Sequence, residues 1–108
     1  MSAPIHTDYQ SSKHISAVVR SIVDMLHPRT VYLYNQRVSA RGTTTSFKLC
    51  VVADCGDKAQ AEQRVYLGID SDVPFDVLLY TTAEWERLLA VDTSFAGRIA
   101  RTGMVVYG

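Results

Sequence analysis

Residues 75–85 read Phe-Asp-Val-Leu-Leu-Tyr-Thr-Thr-Ala-Glu-Trp and place a strand directly before a helix. The first six residues are mostly apolar and follow a proline, which favours a short strand. Thr81 and Glu84 have the spacing of a capping box, in which the two side chains satisfy backbone N–H groups at a helix start. The apolar face of that helix consists of Trp85, Leu88 and Leu89. This stretch therefore predicts a strand of a sheet followed directly by a helix that packs on that sheet.

The clearest periodic pattern lies near the start of the chain. Apolar residues recur at i, i+3, i+4, i+7, i+8 and i+11 from Ile15, which predicts an amphipathic helix. Ser11 or Ser12 can cap its start. His27 precedes a proline and so avoids the helical region, which ends the helix there.

The remaining segments are shorter. Residues 31–34, 47–52 and 104–107 have the composition of strands, and in the second of these Phe47, Leu49 and Val51 share one face. The polar residues 35–45 favour a loop or a short helix plus loop. Residues 58–68 and 95–102 favour short helices, with Asp57 as a cap of the first and Gly103 in the left-handed position after the second. Taken together, these elements predict an α/β or α+β sandwich with a small sheet. We interpret residues 1–12 as a flexible arm and residues 13–108 as one domain.

The composition is that of a globular protein. In 108 residues, 11 Lys and Arg balance 11 Asp and Glu, and 47% of residues are hydrophobic, which excludes charged tails and disordered chains. No apolar run is long enough to span a membrane, and the first residues lack the pattern of a signal peptide. We therefore expect a cytoplasmic protein with neither a membrane nor a nucleic acid as its partner.

The zero net charge is a cancellation between two halves of the chain. Residues 1–53 carry six Lys and Arg against two Asp, a net charge of +4, whereas residues 54–108 carry five against nine acids, a net charge of −4. No carboxylate occurs between Met25 and Ala53. Such a segment either attracts phosphate or an acidic partner or is simply a solvated surface.

Cysteine and histidine residues give no metal-binding pattern. Four residues separate Cys50 from Cys55, and a pair alone does not supply the four ligands of a structural zinc site. His6, His14 and His27 are not grouped with them. We therefore predict two reduced thiols and no metal site.

Four stretches, taken in order, carry a further pattern from Ile15 to the end of the chain. They are residues 28–34 (Pro-Arg-Thr-Val-Tyr-Leu-Tyr), 49–54 (Leu-Cys-Val-Val-Ala-Asp), 74–85 and 95–107. In this order they resemble the minimal nucleotidyltransferase domains of the DNA polymerase β-like superfamily, which are often encoded beside all-helical HEPN proteins. The resemblance implies a nucleotidyltransferase-like α+β fold in which helices flank a small mixed sheet.

Members of that family need three groups for metal-dependent nucleotidyl transfer. A Gly-Ser pair after the first strand cradles the phosphates, an Asp-x-Asp on the second strand holds two metal ions, and a third Asp on the third strand assists. In this chain the Gly-Ser position falls on Asn35-Gln36, or on Ser39 in an alternative alignment that uses Ala40-Arg41-Gly42. The Asp-x-Asp position falls on Ser46-Phe47-Lys48, and only Asp76 remains.

Loss of both strand carboxylates predicts a fold that has lost its usual chemistry, because one carboxylate cannot hold two divalent ions. We expect a catalytically inactive binding or protein-interaction module, similar to an antitoxin, with Asp76 as the single retained catalytic candidate. The candidate ligand-binding residues are Asn35, Gln36, Ser39, Arg41, Ser46, Lys48 and Asp76. The alternative is a residual enzyme that transfers a nucleotidyl group from an NTP to a protein or small molecule and uses Mg²⁺.

Two interpretations of Lys48 stay open. Lys48 and Asp76 can form an ion pair that replaces the metals structurally, or the Lys48 stem packs while its ammonium reaches water. Alternatively, Lys48 and Arg41 bind a nucleotide phosphate. We predict no bound cofactor in the inactive form. The resemblance implies an HEPN-type helical partner, and a homodimer is a further possibility, with an exposed edge strand or the Trp85 helix face as its surface.

Overall fold

The fold begins with a helix and ends on a short strand. The computed structural model of the protein describes residues 12–108, so residues 1–11 of the predicted arm lie outside the described residues. In chain order the elements are α1 (Lys13–Leu26), β1 (Thr30–Val38), β2 (Thr44–Val52), α2 (Lys58–Gly68), β3 (Phe75–Tyr80), α3 (Thr82–Leu89), α4 (Phe95–Thr102) and β4 (Met104–Tyr107). The fold is α+β, as the sequence predicts.

The four strands form one mixed sheet in the order β3-β2-β1-β4. β1 runs antiparallel to both β2 and β4, and β2 runs parallel to β3. The parallel pair is connected through α2, because parallel neighbours need a crossover. β1 and β2 are thus the central strands of the sheet.

Helices cover both faces of this sheet. α1 and α2 contribute to a core cluster that includes Phe47 and Val51 of β2. On the other face, Trp85 of α3 packs in a second cluster with Cys50 and Val52. The period-two alternation predicted for β2 is therefore confirmed, and its residues from Leu49 onward are buried on both faces.

Local signals fix the helix ends. The Ser12 side chain accepts a hydrogen bond from the backbone N–H of Ile15, and the capping box of Thr81 and Glu84 is complete. The backbone N–H of Thr81 and the Lys58 ammonium both donate to the Glu84 carboxylate and hold its pKa below its usual value. His27 ends α1 in the left-handed conformation with φ of 47°. None of the described helices is long and apolar enough to cross a membrane.

The loop predicted over residues 35–45 is present but shorter than predicted, and it contains no helix. β1 continues to Val38 and β2 begins at Thr44, so only residues 39–43 separate the two strands. The Ser39 hydroxyl accepts the N–H groups of Arg41 and Thr43, and Gly42 adopts a φ of 82° that favours glycine. The polar residues at this end of β1 and β2 suggested a loop. They nevertheless form strands, because this end of the hairpin is exposed to water and needs no apolar side chains.

Gly103 also differs from its prediction. Its φ is −76° rather than positive, since the chain passes straight from α4 into β4. Glycine is still required, because a Cβ here would lie 2.6 Å from the Ile99 carbonyl oxygen. Leu89, predicted on the apolar face of its helix, is instead 39% exposed, and Leu67 (79%) and Phe95 (47%) are exposed as well.

Candidate functional site

Five polar residues on three neighbouring strands share the sheet face that α3 and α4 cover elsewhere. Asn35 pairs with Lys48 and Arg37 pairs with Ser46 across β1 and β2, while Lys48 is in register with Asp76 of β3. Ser46 is half-buried and the other four are exposed. We call these five residues the Lys48 patch. On this face α3 and α4 cover only the Cys50 end of β2, where Trp85 packs. The Lys48 patch lies beyond that cluster and is exposed to solvent.

The patch is flat and carries more positive than negative charge. Directly opposed strand residues have Cβ atoms about 5 Å apart and diagonal neighbours about 7–8 Å, so two cations and one carboxylate lie within reach of one small ligand. A recess of about 90 Å³ lies at the patch and is lined by Ser46, Phe47, Lys48, Pro74, Phe75 and Asp76. That volume suits a phosphate-sized group and is far below the roughly 300 Å³ of ordinary ligand pockets.

Lys48 and Asp76 do not form an ion pair, which is one of the alternatives that the sequence leaves open for Lys48. Among residues 12–108, the pairs within 4 Å are Arg29 with Glu86, at 2.9 Å, and Lys58 with Glu84, at 3.0 Å. Adjacent positions on parallel strands leave both side chains exposed, and water solvates the charges more favourably than a fixed contact. Lys48 therefore presents its ammonium to solvent, as in the alternative of a packed stem with a solvated head.

A β-bulge in β1 decides which residues join the patch. The register of β1 against β2 shifts between Leu33 and Asn35, so Tyr34 is an extra residue without its own partner. Because side chains alternate along a strand, this one-residue insertion turns Asn35 toward the face of Lys48 and Gln36 toward that of Phe47. Asn35 and Gln36 are consecutive strand residues and therefore lie on opposite faces, and the bulge decides that Asn35 rather than Gln36 lies on the face of Lys48.

The structure brings together four of the seven candidate residues, namely Asn35, Ser46, Lys48 and Asp76. Gln36 lies on the opposite face, where its side-chain amide donates to the Thr44 hydroxyl at 2.8 Å. Ser39 and Arg41 lie in the turn of the hairpin, and the Ser39 hydroxyl is engaged with turn backbone. The predicted partnership of Arg41 with Lys48 is thus replaced by one between Arg37 and Lys48.

Sequence reasoning missed Arg37 and Tyr34. Arg37 lies in β1 beyond the predicted strand end, and only an extension of the strand through polar residues would have found it, whereas Tyr34 is the last residue of the predicted strand. The Tyr34 ring packs edge-to-face on Phe95, with centroids 5.6 Å apart, at the border of the patch. Burial raises the pKa of the Tyr34 hydroxyl, and the charge of Asp76 adds to this shift, so the phenol stays protonated at neutral pH.

The donor set does not fit the two metal ions that the resembling family uses. Asp76 is the single carboxylate of the Lys48 patch, and no group of three or more His, Cys, Asp or Glu in residues 12–108 is arranged to hold a metal ion. The Lys48 ammonium would moreover repel a divalent cation at the adjacent position. These residues favour an anion over a cation.

Two thiols lie near this region, and we expect them to differ sharply in reactivity. Burial raises the pKa of Cys50 to about 12, whereas Cys55 is half-exposed with a smaller upward shift. Because the thiolate is the nucleophile, Ellman's reagent at pH 8 should modify one thiol, Cys55, in the folded protein. The second should react only after unfolding in urea. Modification of both thiols at similar rates without denaturant would contradict this burial.

No protein-family model matches the chain, and neither a curated protein nor a solved structure matches it. The chemistry of the Lys48 patch is therefore the basis for a function.

Proposed function

We propose that this protein is a non-catalytic binding module with a nucleotidyltransferase-like fold, and that its Lys48 patch holds a nucleotide phosphate without a divalent cation. One observation supports this most directly. Lys48 occupies an exposed strand position beside Asp76, where the resembling family needs an aspartate. A cation at that position can neutralise phosphate oxygens directly, as a metal ion otherwise does.

Each residue of the patch has a separate part in this proposal. The Lys48 ammonium and the Arg37 guanidinium supply charge, and the guanidinium can donate two parallel hydrogen bonds to a phosphate. The Ser46 hydroxyl and the Asn35 amide can donate further hydrogen bonds. The Asp76 carboxylate repels a bound anion, so replacing it with a neutral residue should strengthen phosphate binding.

The size of the recess limits what is bound. About 90 Å³ accommodates one phosphate group, so the sugar and base would remain on the surface beside Tyr34. An exposed site of this kind gains little from burial, and we expect affinity of roughly millimolar, or about −4 kcal/mol. Binding should weaken with added salt, because both partners are solvent-exposed charges.

Calorimetric titration with ATP and with inorganic tripolyphosphate, both in EDTA, tests this function. Both should bind, because the phosphates carry the contact. Lys48→Glu should abolish binding, Arg37→Glu should weaken it at least fivefold, and Asp76→Asn should strengthen it about threefold by removing a like charge. Lys13→Glu is the matched control, since Lys13 is an exposed lysine of α1 on the opposite side of the sheet.

The enzymatic alternative predicts the opposite response at Asp76. If Asp76 holds Mg²⁺ for nucleotidyl transfer, Asp76→Asn should abolish Mg²⁺-dependent labelling from radioactive ATP instead of improving binding. A site with a dissociation constant of roughly 1 mM would be mostly occupied at about 5 mM ATP. Absence of binding heat at that concentration would refute the phosphate proposal. Labelling that disappears in Asp76→Asn would establish the enzyme.

A second function, a protein-interaction module, is favoured by apolar residues beside the patch. Leu89, Val91 and Phe95 are 39%, 49% and 47% exposed, and the Phe95 ring contacts Tyr34 at the border of the patch. The family resemblance points to an all-helical HEPN-type protein as the partner. Co-purification with such a protein encoded by the adjacent gene, lost in Phe95→Asp but kept in Leu67→Asp, would support this function.

A further inference from the structure

Two aromatic rings from different elements lie at the border of the Lys48 patch. Tyr34 is the extra residue of the bulge in β1, and Phe95 is the first residue of α4. Their rings meet edge-to-face, with centroids 5.6 Å apart and planes at 90° to each other. Tyr34 is half-buried, whereas Phe95 is 47% exposed, so part of its ring surface is in contact with water. We call these two residues the aromatic pair.

The aromatic pair and the Lys48 patch lie on the same face of the sheet. Tyr34 packs against the buried cluster that contains Cys50. It directly precedes Asn35, which is in register with Lys48, and consecutive strand residues are about 3.3 Å apart along the strand. The charge of Asp76 contributes to the raised pKa of the Tyr34 hydroxyl, in agreement with this short separation. The ring surface therefore begins next to the exposed cation.

A cation beside an exposed ring matches the two ends of a nucleotide. The recess of about 90 Å³ at Lys48 accommodates one phosphate group, so a base would lie outside it. A base in contact with water gains free energy by stacking on an aromatic side chain, and every base has a flat face for this. The exposed apolar residues that precede Phe95, Leu89 and Val91, are aliphatic and offer no such surface. Charge and ring together therefore favour a nucleotide over an inorganic phosphate or a phosphorylated side chain.

We propose that the aromatic pair stacks on the base of the nucleotide whose phosphate is held by the Lys48 patch, so that the ligand is a nucleoside phosphate. This inference rests on the proposed function. Stacking does not depend on the hydrogen-bonding edge of the base, so adenine and guanine nucleotides should bind alike. Cytidine and uridine nucleotides should bind more weakly, because a pyrimidine covers less of the Phe95 ring than a purine does.

Calorimetric titration in EDTA with ATP and with methyl riboside triphosphate tests the stacking. The second compound has the same sugar and phosphates but a methoxy group in place of the base, so the two ligands carry equal charge. ATP should bind about fivefold more tightly, because stacking of one base is worth roughly 1 kcal/mol or more. Phe95→Leu should remove this difference by weakening ATP alone, since leucine is apolar but has no ring. Leu67→Ala, at an exposed position of α2 on the other side of the sheet, should leave both affinities unchanged.

Saturation-transfer NMR of the unaltered protein keeps the proposal falsifiable if Phe95→Leu unfolds the chain. Saturation of protein protons should reach the adenine ring protons of ATP at least as strongly as the ribose protons. Equal affinities for ATP and the base-free triphosphate would overturn the stacking and leave the phosphate site intact, as would adenine protons that receive far less saturation than ribose protons. If neither triphosphate binds, the phosphate site itself is refuted, and the stacking with it.

Discussion

Replacing Ser46 and Lys48 by aspartate should create a divalent-cation site beside Asp76. The two positions share one face of β2, and the second is in register with Asp76 on β3, so three carboxylates would converge. Without metal their repulsion should destabilise the fold. With Mn²⁺ at about 100 times its dissociation constant, binding should stabilise the protein by about 2.7 kcal/mol. For a domain of this size that is a rise in melting temperature of roughly 10–20 °C.

Thermal unfolding followed by circular dichroism, with and without Mn²⁺, measures this gain. The parent protein should not respond, because its patch offers one carboxylate. Ser46→Asn with Lys48→Asn is the matched control, since asparagine has nearly the same shape without the charge. Adding Asp76→Asn to the aspartate pair should cancel most of the response. A folded aspartate variant that ignores Mn²⁺ would show that these three positions do not converge.

Truncating Phe47 to alanine should cost about 3–5 kcal/mol of unfolding free energy. Phe47 is 1% exposed, and its ring stacks on Phe75 with centroids 5.7 Å apart. Phe75 stacks in turn on Tyr66, so the three rings join β2, β3 and α2. Truncation of Phe47 removes the buried ring at one end of this stack. That loss is a large fraction of the 5–15 kcal/mol that typically stabilises a domain.

Urea denaturation of Phe47→Ala and of its neighbour Lys48→Ala provides the comparison. Lys48 follows Phe47 directly but points to the solvated patch, so its truncation should change the free energy of unfolding by less than about 0.5 kcal/mol. The difference between adjacent residues tests the alternation on which the whole site rests. Similar losses in both variants would mean that β2 is not placed as described.

Local patterns account for the elements that the sequence predicted correctly. The spacing from Ile15 to Leu26, the capping box at Thr81 and the apolar run of β3 each depend on residues within one element. The exposure of helix residues was harder to predict, since Leu89 fits the apolar face of α3 by its spacing yet is 39% exposed. Spacing identifies a helix face, but the position of neighbouring helices decides how much of that face is covered.

The candidate site was predictable only where it rests on one strand. Alternation alone placed Ser46 and Lys48 together, and the absence of carboxylates between Met25 and Ala53 ruled out a paired-aspartate site in any register. Asn35 and Arg37 joined the patch for a reason that no local pattern contains. The sheet face on which these two side chains lie depends on the bulge at Tyr34, and that bulge arises from the pairing of two strands.

The α+β class, the two faces of β2 and the absence of carboxylates between Met25 and Ala53 can be read from the sequence, because each follows from residue type and short-range periodicity. Contacts between distant segments, by contrast, set the short five-residue connection between β1 and β2, the turn of Gln36 away from Lys48, and the position of β4 at one edge of the sheet within residues 12–108. The physical reason is the period of two in a strand. A single extra residue reverses every side chain beyond it, and the position of that residue is set by partners distant in sequence.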